Sequence, residues 1–537
     1  MTNDASSNAI RGQIDEIRQE PHMMAFERWR QIGEIIVRDL RQHGHFFNTE
    51  QGLFFFDNKT LRAFLLHRDE VGLTSLLNQR YGINAKEYCF QRVLADLICE
   101  ADVNGRMMEI RRLSHYDHET KLLYVSRFDG CVYRLDGESV VKVQNGTDDV
   151  FFFDDRISWT PYDYIRNVAT GAFDAQLIDS VNFADSILSK PEQRKLLKLW
   201  ALAVFFGSIQ PTKIILLMLG EHGSGKTSAL RRIQKFIFGR KVDLLSIEKD
   251  KQDAFVATVT TDPLALFDNV DERISWLPYS LSRLATGVTF PRRVLYTTNT
   301  QVEFPGVSWL GITSRTVDFM ANQPDLPDRT LVLSVERLIE KVPEGELLSA
   351  IEKNRNVMWS ELLDMLNAIV GQLRQPAEPS RVQFRMADFA SFALRVATSW
   401  GCRKEVAAIF TKLEQAQADL VFEDEPIHQV LDLWLVNSDN HGRGVDAATL
   451  HRELGTIARA NQIEWPFSNG KSLGHRLGHL LHALRQRFDV KVAKDRHIKK
   501  NRYHFWPKGL AEAGAKPDRL ARLAPPTEPE QTAGIAG

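Results

Sequence analysis

The chain has 537 residues, 43% of them hydrophobic and 26% charged, which predicts roughly three to four domains at about 150 residues each and excludes whole-chain disorder. Its 68 Lys and Arg against 69 Asp and Glu leave a net charge of −1, which excludes a globally basic nucleic-acid coat protein but not a local basic domain. Four scattered cysteines (Cys89, Cys99, Cys131, Cys402) make neither a disulfide framework nor a CxxC zinc site and fit a reducing cytoplasm; the greasiest stretch, residues 199–206, is far shorter than the roughly 18 apolar residues of a membrane span.

Residues 1–20 are polar, without the apolar segment of a secretory signal, and are expected to fray. Phe26, Trp29, Ile32, Ile35 and Ile36 recur at helical spacing and predict an amphipathic helix over residues 24–42. Short strands are expected over 45–66 and helices over 69–117. Between 120 and 155 the period shortens: KLLYVS, CVYRLD and SVVKVQ are β-prone runs, with Asp129-Gly130, Asp136-Gly137 and Asn145-Gly146 as tight-turn dipeptides. Ser189, Pro191 and Glu192 form the capping box and early proline of a helix reaching about 206. From Lys213 on, apolar strands alternate with helices, the pattern of a largely parallel sheet. Residues 340–420 read as helical. The tail after Lys508 is rich in Ala, Gly and Pro and buries too little to fold.

The segment Gly220-Glu221-His222-Gly223-Ser224-Gly225-Lys226-Thr227 matches GxxxxGK[ST], with Ser228 next in the helix that follows. The glycines let consecutive N–H groups turn toward phosphate oxygens, the lysine reaches the β- and γ-phosphates, and the threonine hydroxyl ligates Mg²⁺. An apolar run, residues 214–219, precedes it as a buried strand should, and a helical stretch ends near Gly239. ATP and Mg²⁺ are therefore expected. A metal-holding carboxylate belongs at the end of a neighbouring apolar strand, and Asp268, closing PLALFD, is that residue. The next residue is Asn269; Asp271 and Glu272 follow closely as alternative bases.

A helix-like stretch leads to two strands around an Asn-containing turn, residues 292–304, with Arg292, Arg293 and Asn299. Residues 308–315 make a strand ending in Thr313, Ser314 and Arg315, and Asp325-Leu326-Pro327-Asp328-Arg329 precedes one more strand. This order resembles the superfamily 3 helicases, especially the C-terminal ATPase half of phage, plasmid and poxvirus-type primase–helicases, over residues 180–340 and more loosely to 507. The resemblance implies an AAA+ type ATPase that assembles into a ring, such as a hexamer, with ATP between subunits and hairpins gripping single-stranded DNA in a channel. It implies phosphate and Mg²⁺ binding by Lys226 and Thr227, Mg²⁺ binding by Asp268, a sensor at Thr313 or Ser314, an arginine finger at Arg329 or Arg315, and DNA contacts from the 292–304 hairpin. The sequence departs from the family at Asn269, where an acid is usual, at the Ser or Thr sensor, and at Asn299, where a basic residue is often found. No primase centre is predicted: Asp154 and Asp155 are adjacent and would point to opposite faces of a strand.

Residues 470–508 carry eleven basic and two acidic side chains, a net of +9. Three candidate helices (426–436, 447–461 and 471–488) and two β-prone runs around the loop 494–500 resemble a winged helix, whose third helix enters the major groove and whose wing touches phosphate. Arg476 on that helix, and Lys494, Arg496, Lys499, Lys500 and Arg502 in the wing, are the candidate duplex contacts. The expected fold is a multidomain α/β chain: a mostly helical but mixed α+β N-terminal region (1–118), a small antiparallel β region (119–178), a P-loop AAA+ type ATPase core (179–338), a helical lid or linker (339–424), a winged helix (425–508) and a disordered tail (509–537). The expected function is a ring-forming, ATP-dependent DNA motor of replication or a mobile element, acting as a homo-oligomer without membrane attachment. The alternative is an ATP-gated DNA-binding switch that does not unwind.

Overall fold

A computed structural model of the chain describes residues 2–153, 159–239, 243–293, 301–320, 323, 325–376, 384–422, 426–494 and 501–510. The chain divides into two compact units, Met1–Ala416 and Gln417–Gly537.

The first unit opens with helices α1 (Thr2–Gln19) and α2 (Ala25–His43) and strands β1 (Gly44–Thr49), β2 (Gly52–Asp57) and β3 (Arg62–Leu65). Helices α3 (Val71–Tyr81) and α4 (Tyr88–Asn104) and strand β4 (Arg106–Met107) complete this part, whose sheet has the order β3-β2-β1-β4. Ile32, Ile36 and Leu40, four residues apart on α2, are fully buried, and they share one core with Ile14 of α1 and with Phe90, Val93 and Leu97 of α4. The N-terminal segment expected to fray is thus a helix held by an apolar anchor. The region expected to be mostly helical also holds a four-stranded sheet, and residues 106–117 are extended.

Strands β5 (Ile110–Arg111), β6 (Ser114–Asp117), β7 (Leu122–Ser126), β8 (Cys131–Leu135), β9 (Val140–Gln144) and β10 (Phe151–Phe152) follow. β6 to β9 form an antiparallel meander in sequence order, so this sheet begins before residue 119. The turn at Asp136-Gly137 needs glycine twice over. Gly137 has φ +91°, and a Cβ there would lie 2.8 Å from the Cα of Gly371, where the meander meets a long helix.

The largest part contains α5 (Lys190–Ala203), β11 (Ile215–Leu219), α6 (Lys226–Phe238), α7 (Gln252–Thr261), β12 (Leu264–Phe267), α8 (Leu277–Ala285), β13 (Thr289–Arg293), β14 (Gln301–Pro305), β15 (Trp309–Ser314) and β16 (Thr330–Ser334), then α9 (Glu344–Arg374), α10 (Ala387–Ser399) and α11 (Arg403–Phe422). The capping box stands as expected: the Ser189 N–H donates to the Glu192 carboxylate at 2.8 Å. Four strands make a parallel sheet in the order β12-β15-β11-β16, and Leu245 extends it by a parallel bridge to Phe267. Almost every residue of these strands is buried, as expected of a sheet covered on both faces. β13 and β14 pair as a hairpin with Arg292 opposite Val302.

The second unit holds α12 (Pro426–Leu435), β17 (Val445–Asp446), α13 (Ala447–Ala460), α14 (Gly470–Arg487), β18 (Phe488–Lys494) and β19 (Asn501–Pro507), with sheet order β17-β19-β18. Leu473, Leu477, Leu480 and Leu484, at three- and four-residue spacing on α14, are fully buried against α12, α13 and Phe505. The two-residue strand β17 escapes sequence reading because it is too short to show a period. Among the described residues no helix is long and apolar enough to cross a membrane.

Candidate nucleotide-binding site

The parallel sheet brings its candidate residues to one end. β11 runs into residues 220–225, and α6 begins at Lys226. Gly223 (φ +75°) and Gly225 (φ +82°) take left-handed conformations that side chains resist, which is the backbone reason for glycine there. Gly220 is needed for space, since a Cβ would overlap the Val335 carbonyl. The Ser224 hydroxyl donates to the Glu221 carbonyl at 2.8 Å and tightens the loop. The free N–H groups and positive end of α6 face the loop, an arrangement suited to an anion.

Lys226 is 7% exposed; its ammonium donates to the Gly220 carbonyl, to that of Glu221 at 2.8 Å and to the Ser224 hydroxyl at 3.3 Å. Burial pulls its pKa below the ordinary lysine value, with the Asp271 and Asp268 carboxylates acting against that shift. The Thr227 hydroxyl donates to the Asp268 carboxylate at 2.9 Å, and the Thr313 hydroxyl donates to the same oxygen. Thr313 is placed by register, opposite Met218 on β11, one residue before the pair Leu219 and Ser314. Thr227, Asp268 and Thr313 thus meet although they come from three separate segments. Ser228 lies one residue further into α6, and its buried hydroxyl finds no partner among the described residues. Glu221 and His222 are exposed on the loop.

Asn269 has φ +60° and donates its N–H to the Thr313 hydroxyl at 2.9 Å. Asparagine tolerates this left-handed geometry better than glutamate does, a local reason for asparagine at this position. Asp271 is engaged: its carboxylate accepts from the Ser314 hydroxyl at 3.0 Å, the Arg315 N–H at 2.7 Å and the Arg315 guanidinium at 2.6 Å. Burial would raise its pKa, but these bonds win and hold it below the usual carboxylate value. Glu272 is exposed.

Arg315 also lies 3.1 Å from His222 of the loop, so it spans Asp271 and the site mouth. Arg329 is elsewhere. It precedes β16, whose Thr330 pairs with Ile215 at the start of β11, so it sits at the opposite end of the sheet, about 15 Å from the loop at 3.3 Å per residue. Its side chain is 12% exposed, donates to the Ser282 carbonyl at 3.1 Å and pairs with Asp325 at 2.8 Å. The fold does not bring it to the loop of its own chain.

Sequence reading missed residues 336–341, which follow β16 and lie against the loop. Leu338 donates its N–H to the Gly223 carbonyl at 3.1 Å, and Arg337 Nε and Lys341 Nζ come within 4.0 Å and 3.9 Å of where a Gly223 Cβ would stand. Asn182 anchors this strap through the Glu336 and Arg337 carbonyls. No motif marks these cations; only the return of β16 beside β11 places them.

Of the candidate nucleic-acid contacts, Arg292 and Arg293 lie in β13, while Asn299, Arg496, Lys499 and Lys500 lie outside the described residues, as do Asp154 and Asp155. In the second unit Arg476 is half-buried on α14, and Lys494 and Arg502 are exposed at the ends of β18 and β19.

No curated protein matches the chain. Among solved structures, one titled "SCCmec type IV Cch - active helicase" is similar at 13% identity with a TM-score of 0.41, covering 86% of this chain and 91% of that one. The C-terminal region of NrS-1 is similar at 11% identity with a TM-score of 0.37, covering 87% and 97%. The part of the chain that holds the loop, Asp268, Thr313 and the strap, residues 176–419, matches the family described as the actinomycete integrative conjugative element replication protein.

Proposed function

We propose that the protein is an ATP-dependent DNA motor, a ring-forming helicase ATPase of the superfamily 3 type that serves replication of a mobile element. The observation that carries this reading is the meeting of Lys226, Thr227, Asp268 and Thr313 at the C-terminal ends of adjacent parallel strands, where α/β sheets bind ligands. The strand order, with the loop strand between β15 and β16 and Asp268 beyond β15, supports an AAA+ type core. The family match over 176–419 supports a replication role.

On ATP binding, the Lys226 ammonium exchanges loop carbonyls for β- and γ-phosphate oxygens. The residues present fit Mg²⁺ by donor type: the Thr227 hydroxyl and the Asp268 carboxylate are hard oxygen donors brought side by side, and they would hold the ion. The chemistry gained there is charge neutralisation of the phosphates. Thr313 fixes the carboxylate rotamer and, through the Asn269 N–H, ties β15 to the residue after Asp268. Arg337 and Lys341 add positive charge over the loop. Arg315 and Arg329 are the candidates for reaching a neighbouring subunit's nucleotide, and Arg315 is the more available, with its side chain 45% exposed. The second unit, helix–strand–helix–helix–strand–strand, follows winged-helix order, with α14 as the groove helix and β18–β19 as the wing.

A second reading, an ATP-gated DNA-binding switch, is favoured by one observation: Asp271 is held by Arg315 and Ser314 and is not free to act as a base, while the usual acid is Asn269. ATP turnover with and without single-stranded DNA, run beside a strand-displacement assay, separates the two. The motor gives DNA-stimulated turnover and strand separation. The switch gives nucleotide-dependent DNA binding with negligible turnover. If neither turnover nor nucleotide-dependent DNA binding is found, the nucleotide reading loses its support.

The second unit has its own core, so residues 417–510 are expected to fold and bind duplex DNA alone. Each phosphate contact contributes a slope of about −0.9 in log affinity against log salt. Lys494→Ala and Arg502→Ala should each flatten the slope by about one contact and weaken all sequences alike, as read by fluorescence anisotropy over a salt series.

A further inference from the structure

A cavity of about 380 Å³ lies within the first unit, at the end of the parallel sheet away from the phosphate loop. Its walls include Lys213 before β11, Pro263 before β12 and Trp309 at the start of β15. Since β11 spans five residues, the cavity is separated from the loop by about 17 Å of strand. The exit of the β13–β14 hairpin, Pro305 to Val307, forms another wall, and residues 109–115 of the N-terminal part close it. The volume falls within the range of small-molecule sites, about 300–1,000 Å³.

Three polar groups of this wall have unmet needs. No described residue pairs with the Lys213 ammonium, and burial alone pulls its pKa below the ordinary value. The indole N–H of Trp309, a residue 2% exposed, and the Nδ1 of His115 are buried without a hydrogen-bond partner among the described residues. Two of them lie close together: a Cβ built on Gly207 would lie 3.2 Å from Trp309 Nε1 and 3.9 Å from Lys213 Cε; His115 lines the same cavity. His115 is held neutral, its pKa lowered to about 4 by burial and by the nearby Arg111 charge, so it offers a neutral ring at physiological pH. The acids of the wall do not answer Lys213: Glu109 pairs with Arg111, and Glu50 is exposed. A cation and an N–H beside proline, valine and tryptophan surfaces suit an anion joined to a flat, partly apolar body.

We propose that this cavity is a second site, for a nucleotide unit whose phosphate meets Lys213 and whose base lies along the Trp309 and His115 wall. The unit is either a free nucleotide or one residue of a single-stranded DNA, and the test below separates the two. The site stands whether or not the phosphate loop hydrolyses ATP.

The test uses the full chain and two measurements. The first is acylation of Lys213 followed by mass spectrometry, alone and with an oligothymidylate, ADP or inorganic phosphate. The second is oligothymidylate affinity over a salt series for the wild type, Lys213→Gln and Trp309→Phe. A strand in the cavity protects Lys213 with the oligonucleotide, and Lys213→Gln flattens the salt slope by about 0.7, the value of one single-strand contact. A free nucleotide gives protection by ADP and an unchanged slope. Trp309→Phe, which keeps the ring and loses the N–H, should weaken whichever ligand protects by several-fold. Should Lys213→Gln fail to fold, the wild-type protection pattern decides. Protection by none of the three ligands, or by inorganic phosphate alone, together with an unchanged slope in any variant that folds, overturns the proposal.

Discussion

Lys226→Ala is expected to lower nucleotide turnover by about 10²- to 10³-fold, the loss typical of removing one preorganised charged donor from a reacting phosphate or oxyanion. The ammonium is 7% exposed and already aimed inward by the Gly220 and Glu221 carbonyls, so the loop holds it in place before substrate arrives. Alanine removes the charge, and water reaches the vacated carbonyls because Glu221, His222 and Gly223 are exposed. Stability should therefore change by only about 1 kcal/mol, the net value of ordinary hydrogen bonds. Asp268→Asn makes the complementary case. It keeps an oxygen for Thr227 and Thr313, so ATP binding should persist while Mg²⁺-dependent turnover is lost. The checks are kcat/KM beside thermal unfolding for both variants. Wild-type turnover in Lys226→Ala would mean that the loop is not where nucleotide reacts.

The second large effect is on the fold. Arg355 of α9 is 5% exposed and donates to three carbonyls: Phe236 at 2.8 Å, Ile237 at 2.9 Å and Pro161 at 3.0 Å. The first two belong to the last turn of α6, where the negative helix end also favours a cation; Phe236 also accepts from the Trp359 indole N–H at 3.1 Å, whereas Ile237 relies on Arg355. Its guanidinium lies 5.6 Å from the centre of the Tyr162 ring, which stacks on Trp359 at 3.7 Å. Burial pulls the guanidinium down to about 10, so it remains charged at neutral pH. Arg355→Leu would take the partner from the Ile237 and Pro161 carbonyls, leave Phe236 to Trp359 alone, and should cost about 2–4 kcal/mol. Arg355→Lys should recover only part of this, because one ammonium lacks the planar fork that serves diverging acceptors. Denaturant midpoints measure both. A loss under about 1 kcal/mol would show that water or a shifted backbone satisfies those carbonyls. Because α6 starts at the phosphate loop, nucleotide affinity should fall with the lost stability.

The sequence by itself determined the features whose physics is local. The glycine-rich turn between β11 and α6 was legible because its glycines, lysine and threonine lie within eight consecutive residues. The capping box at Ser189, the turns at Gly130 and Gly137, and the helix faces of α2 and α14 were legible because they depend on neighbours three or four positions away. In α1 the three isoleucines Ile10, Ile14 and Ile17 do recur at helical spacing and pack on the core, but the polar composition around them pointed to a frayed end. Tertiary structure alone decided which distant residues share the site. Thr313 reaches Asp268 because β15 lies between β11 and β12, and the strap with Arg337 and Lys341 reaches the loop because β16 returns on the other side of β11. The same register sends Arg329 to the far end of the sheet, where burial and Asp325 engage it within its own chain, while Arg315 stays at the mouth of the loop. Strand order is fixed by packing among apolar residues that look alike in sequence, and so the partners of each polar residue appear only once the sheet is assembled.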